Sequence, residues 1–220
     1  MDAPFRLSDG RLQARLLACI DVEDKIPRAL ELLGTMVGRR VLLLDARRDS
    51  FRARQLEVMG ARVATWPGLV EPRSPAATAP DEPPEDGFDV AVGWWIGFQG
   101  TGPDATAGLA AAERALAPGG RLLLVQDYGR DETSALYADE AREARLRAWS
   151  DRMGPVLGAG FRVRTLHCWW TFPDLAAAAD MLGRAFPATG PAVAAAMTRP
   201  RLAYKVAVYH RVLGNRRVAS

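Results

Sequence analysis

Three short runs of almost unbroken apolar character limit this chain more than anything else in it. Arg40-Val-Leu-Leu-Leu-Asp45, Phe88-Asp-Val-Ala-Val-Gly-Trp-Trp95 and Arg121-Leu-Leu-Leu-Val-Gln126 each stop at a polar or glycine-rich loop. A strand without polar alternation is buried on both faces, and a sheet is covered on both faces when parallel strands are joined through helices. Helical patterns do separate these runs. The expectation is therefore α/β: a doubly wound, mostly parallel sheet of about seven strands.

The remaining elements follow from periodicity and punctuation. Residues 10–19 carry Leu12, Leu16 and Leu17 on one side, and a second helix over 24–33 is opened by Glu23-Asp24 and Pro27 and stopped by Gly34. Helices are expected over 50–59, 104–116 and 131–153, with further strands over 61–66, 160–167 and 202–213. Two alanine-rich helices, about 174–186 and 190–197, precede the last strand. One domain over 1–220 accounts for all of this. It has N-terminal helices at 10–34, an irregular proline-rich connection at 67–87 and a helical insertion at 172–198. Six of the fifteen prolines fall in 67–87, which marks it as a surface segment.

Composition removes other classes. At 220 residues and 49% hydrophobic, the chain can bury a core without staples or metals. Two cysteines, Cys19 and Cys168, make no disulfide framework, and no Cys/His spacing suits zinc, so no metal is expected. No apolar stretch approaches a membrane span, and the start MDAPFRLSDGR lacks the basic-then-apolar order of a secretion signal, which together point to a cytoplasmic protein without a membrane partner.

The order of elements, with a last strand reached through a helical insertion, resembles the class I S-adenosylmethionine-dependent methyltransferases. The resemblance runs over roughly 24–213. Its local carriers are Asp86-Gly-Phe-Asp89-Val-Ala-Val, the helix after it, and Leu116-Ala117-Pro118-Gly119-Gly120 leading into the strand at 121. It implies a Rossmann-like transferase fold whose last strand is antiparallel, with S-adenosylmethionine as cofactor, bound by a glycine-spaced loop after the first strand and by an acid ending the second. Both anchors differ here. The loop reads Asp45-Ala-Arg47-Arg-Asp49-Ser50, with charged residues where a close-approaching backbone wants glycine, and the second strand ends in Trp66. This is a degenerate form of the glycine loop.

Ligands of open α/β sheets bind outside the carboxyl ends of the strands. Those ends nominate Asp45, Arg47, Asp49, Trp66, Trp94 and Trp95 for a cofactor or other ligand. Asp127, Tyr128 and His167 are the candidates for proton transfer. Each has a plainer role open to it: tryptophans plug a vacated cleft, Asp127 caps a following helix, and a lone histidine on a strand is structural. Adjacent Trp94 and Trp95 should point to opposite faces of the sheet.

Three functions remain, in this order. The first is a methyltransferase-fold pseudoenzyme, with a degenerate cofactor loop, that binds a small ligand or a protein partner with methyl transfer impaired or absent. The second is an active small-molecule methyltransferase with cofactor contacts rebuilt around Asp45, Asp49 and Trp66. The third and least favoured is an arginine-dependent nucleic-acid binder, since residues 181–220 hold seven basic residues and no acid. The dispersal of those seven argues for a solvated edge instead.

Overall fold

The computed structural model describes residues 4–5, 7–44, 50–66, 87–95 and 103–214, with the backbone alone at 103–108. In chain order the elements are α1 (Gly10–Cys19), α2 (Lys25–Leu33), β1 (Arg40–Leu44), α3 (Phe51–Val58), β2 (Arg62–Trp66), β3 (Phe88–Trp94) and α4 (Pro103–Arg114). Then come β4 (Leu116–Asp127), a short 3-10 helix (Glu132–Leu136), α5 (Glu140–Ser150), β5 (Arg162–Thr171), α6 (Leu175–Ala185), α7 (Gly190–Ala196) and β6 (Arg201–Val212).

The six described strands form one sheet in the order β2-β1-β3-β4-β6-β5. The pairs β1–β2, β1–β3 and β3–β4 are parallel, and β6 runs antiparallel between β4 and β5. The expected doubly wound sheet with an antiparallel last strand is thus present, with six described strands against about seven expected. The proline-rich connection at 67–87 lies outside the described residues except at Gly87.

Alternate residues of each apolar run serve opposite faces. Val41, Leu43, Val90, Val92, Leu123, Val125, Val206 and Val208 pack with Leu16, Leu30, Leu56 and Leu182 from α1, α2, α3 and α6. Leu42, Leu44, Ala91, Leu122, Leu124 and Tyr209 face Ala111 and Ala112 of α4 and Trp149 of α5. Each such leucine contributes about 1.5–3 kcal/mol by leaving water. Because α3 follows β1 onto one face and α4 follows β3 onto the other, the sheet's switch point lies between β1 and β3.

Local signals explain most boundaries. Asp9 accepts from the amides of Arg11 and Leu12 at 2.9 and 3.0 Å and so starts α1. Asp21 accepts from Lys25 and Ile26 at 2.9 and 2.7 Å and starts α2. The Pro118-Gly119-Gly120 turn sits inside β4, where the register to β3 shifts between Phe88 and Val90. Gly119 has φ +78°, and a Cβ on Gly120 would stand 2.8 Å from the Ala117 carbonyl oxygen, so both glycines are required.

Two expectations fail. The helix expected over 131–153 is broken: Asp131 caps the 3-10 turn, Ala138 adopts φ +44°, and Asp139 then caps α5 by accepting from Arg142 N at 2.9 Å. The strand expected over 160–167 continues to Thr171, held through its length by β6.

Candidate functional site

β1 and β3 end side by side at the switch point, where Trp94 closes β3 and Trp95 follows it. Both are 1% exposed, and both lie in the core on the α3 side. The expectation of opposite faces fails because Trp95 takes a left-handed backbone, φ +49°, which turns its indole back to the side of Trp94. That conformation costs an L-residue roughly 1–2 kcal/mol. It persists because Trp95 N donates to Val125 O at 2.9 Å and the ring is enclosed.

Arg52, in the first turn of α3, completes this group. Ser50 caps the helix by accepting from Ala53 N at 3.0 Å, and the turn swings Arg52 inward. Its guanidinium lies 4.1 Å from the Trp94 ring centroid and 4.8 Å from that of Trp95. Nη1 also donates to Gln55 Oε1 at 2.7 Å. The Nε1 donors of Trp94 and Trp95 are buried and have no acceptor among the described residues. Two indole N–H groups in that condition cost roughly 1–3 kcal/mol each unless a bound molecule accepts from them.

The other nominated ligand-binding residues do not join this group. Asp45, Arg47 and Asp49 lie outside the described residues. Trp66, ending β2, is 2% exposed and belongs to the core on the opposite face.

A second buried polar group occupies the end of β4. Asp127 does not cap the following helix, a role that falls to Asp131. Instead Tyr204 of β6 donates its hydroxyl to one Asp127 oxygen, and Arg142 of α5 donates to the other and pairs with it. The Arg142 guanidinium also stacks 3.7 Å from the Tyr137 ring centroid. Burial pushes the Asp127 carboxyl above its ordinary range, against the pull of Arg142 and Tyr204. Burial, reinforced by the Asp127 charge, lifts the Tyr137 and Tyr204 hydroxyls further. With both oxygens engaged, Asp127 ties β4, β6 and α5 together rather than presenting a free base.

Tyr128 and His167 stand apart from both groups. Tyr128 is half-buried, its amide donating to Lys205 O at 2.9 Å and its hydroxyl 3.5 Å from Arg130 Nη1. His167 is exposed within β5, where its carbonyl accepts from Lys25 Nζ at 2.9 Å. Its neighbour Cys168 faces the core, and burial followed by the nearby Asp21 charge raises its thiol pKa. Asp127, Tyr128 and His167 therefore do not converge.

Sequence reasoning passed over Arg52, Arg142 and Tyr204. For Arg52 a signal existed: it shares the buried side of α3 with Ala53 and Leu56. Among the described residues no cluster of His, Cys, Asp and Glu could hold a metal. Nor is any helix long and apolar enough to cross a membrane. Beside Asp127 and Trp149 there is a cavity of about 20 Å³. Larger ones, about 240 and 430 Å³, lie at the amino ends of the strands, away from the switch point.

No protein-family model matches the sequence, and no curated protein does. Solved structures do resemble the chain. A proposed type II methyltransferase from Anaeromyxobacter dehalogenans is 22% identical, with TM-score 0.43 over 86% of this chain and 96% of that one. A SAM-dependent methyltransferase from Geobacter sulfurreducens, solved with S-adenosyl-L-homocysteine, is 16% identical, with TM-score 0.46 over 93% and 99%. One from Thiobacillus denitrificans, solved with the same molecule, is 15% identical, with TM-score 0.44 over 95% and 93%. Likeness at this level says nothing of activity.

Proposed function

We propose that this chain is a methyltransferase-fold protein that holds a small, acceptor-bearing ligand at the crevice between β1 and β3, with methyl transfer from S-adenosylmethionine impaired or absent. The observation that carries the reading is the group formed by Arg52, Trp94 and Trp95. Two enclosed indoles stand at the end of β3, a guanidinium lies against both, and their two N–H donors have no acceptor among the described residues. Carboxylate and carbonyl oxygens are the ligand groups such donors suit. A nucleoside cofactor lying across the ends of β1 and β2 would need an acid for its ribose. At the end of β2 stands Trp66, buried in the opposite core. The described residues thus fit S-adenosylmethionine poorly.

A second reading, an active small-molecule methyltransferase, is favoured by the switch point itself, which remains between β1 and β3. Methyl transfer rests mainly on proximity and alignment, so it asks for no catalytic base. Calorimetry of the full chain with S-adenosylmethionine and with S-adenosylhomocysteine separates the two. Silence at millimolar cofactor is expected from the first reading. Micromolar binding overturns it and establishes the second.

A further inference from the structure

A cluster of cations stands on the α1–α2 side of the sheet, toward the amino end of β5 and away from the crevice. Cross-strand register sets Leu123, His210 and Arg162 in one row and Val125, Val208 and Arg164 in the next, with Arg121 opposite Val212 beyond them. Paired residues share a face, and buried Leu123, Val125 and Val208 identify it. Arg121, Arg162 and Arg164 are exposed, and His210 is half-buried among them.

Among the described residues no acid belongs to this cluster. Arg162 and Arg164 have no ion pair or side-chain hydrogen bond among the described residues, and Arg121 gives its hydrogen bond to the Leu33 carbonyl. The charges acting on His210 are Arg162, Arg121 and Arg164, which add to burial in holding its imidazolium below its usual range. On α2, Glu31 turns its carboxylate to Met36 N, at 2.9 Å. The basic residues of the last forty positions behave otherwise, and several are neutralised locally. Arg184 pairs with Asp9 and Asp180, Arg199 with Glu132, and Arg211 with Glu113.

We propose that Arg121, Arg162 and Arg164 form a binding face for the phosphodiester backbone of single-stranded nucleic acid. Two residues of a strand advance about 6.8 Å, so Arg162 and Arg164 offer guanidinium forks at a spacing close to that of successive phosphates on an extended strand. They stand on an edge strand. Among the described residues the outer edge of β5 is bridged only near its far end, by Ile20 against Trp170. A linear polymer can therefore run past without a steric stop. No aromatic ring belongs to the cluster, so it grips phosphates without stacking bases, and it reads no sequence.

The test is fluorescence anisotropy of a labelled oligouridylate with the full chain over a series of salt concentrations. Affinity should fall log-linearly with salt, with a slope near about −2 for three phosphate contacts to a single strand. Arg162→Glu with Arg164→Glu should weaken binding roughly tenfold or more at low salt, and Arg162→Gln with Arg164→Gln should weaken it less. Both variants change exposed side chains, and circular dichroism checks that they fold. The His210 titration midpoint, followed by NMR, should rise when the oligonucleotide is present. A flat salt response, equal binding by the double variants, or retention by phosphatidylserine vesicles in place of the oligonucleotide would each overturn the proposal.

Discussion

Arg52 and Arg142 are two enclosed guanidiniums, one at the carboxyl end of β3 and one at that of β4, held by different means. Arg142 is clamped by a carboxylate that is itself buried, with Tyr204 on the other oxygen. Arg52 lies against aromatic faces, 4.1 and 4.8 Å from Trp94 and Trp95 and 5.1 Å from Phe51. A clamped ion pair is all or nothing, because either partner alone is a stranded charge. A stacked cation is graded, because each ring contributes a little and no single contact carries the whole. The first arrangement fastens three elements together. The second lies at the ends of β1 and β3, where the proposed ligand would sit.

The largest effect should come from breaking the clamp. Asp127→Ala is expected to cost about 3–5 kcal/mol in urea denaturation, since Arg142 is left charged and enclosed. Asp127→Leu combined with Arg142→Met should recover much of that loss, short of the parent by the roughly 1–3 kcal/mol that the buried Tyr204 hydroxyl forfeits with its acceptor. Arg52→Met should cost less, about 1–2 kcal/mol, by removing the cation from the ring faces. If Arg52→Met proved as damaging as Asp127→Ala, the distinction between the two arrangements would collapse.

What the sequence revealed, and what it hid, divides along the same line. The strands at 40–44 and 88–94 were legible because a run buried on both faces needs no partner to be recognised. The end of α2 was legible because Gly34 is a local stop signal. Asp127 was misassigned because its partners sit on other elements: Tyr204 is 77 positions away and Arg142 is 15. The left-handed backbone of Trp95 was illegible because nothing in an aromatic residue favours φ +49°; tertiary packing imposes it. The break before α5 did leave a sign: Asp131 and Asp139, eight positions apart, each start a turn. The unbroken charge pattern of 131–153 outweighed it, and alanine at Ala138 gave no warning of a positive φ.

The arginines around His210 supply a third case, cations with neither carboxylate nor ring beside them among the described residues, and predict the smallest effect. Burial and then Arg162, Arg121 and Arg164 lower the His210 pKa from its ordinary 6.5. Well above pH 6.5 the imidazole is neutral folded or unfolded, and it adds nothing to the pH dependence. As the pH falls below that value the unfolded chain takes up the proton first, so stability declines until the folded value is passed. His210→Gln should flatten this part of the curve. Asp21 and Asp127, whose burial raises their carboxyl pKa values, impose the opposite slope, since their protonation favours the folded state. The difference between parent and variant, followed by denaturation between about pH 7 and 5, isolates the histidine from them. Histidine is half-exposed here, so the expected change is a modest slope rather than a transition. A variant whose curve overlies the parent's would mean that the three arginines stand too far from His210 to act as one group.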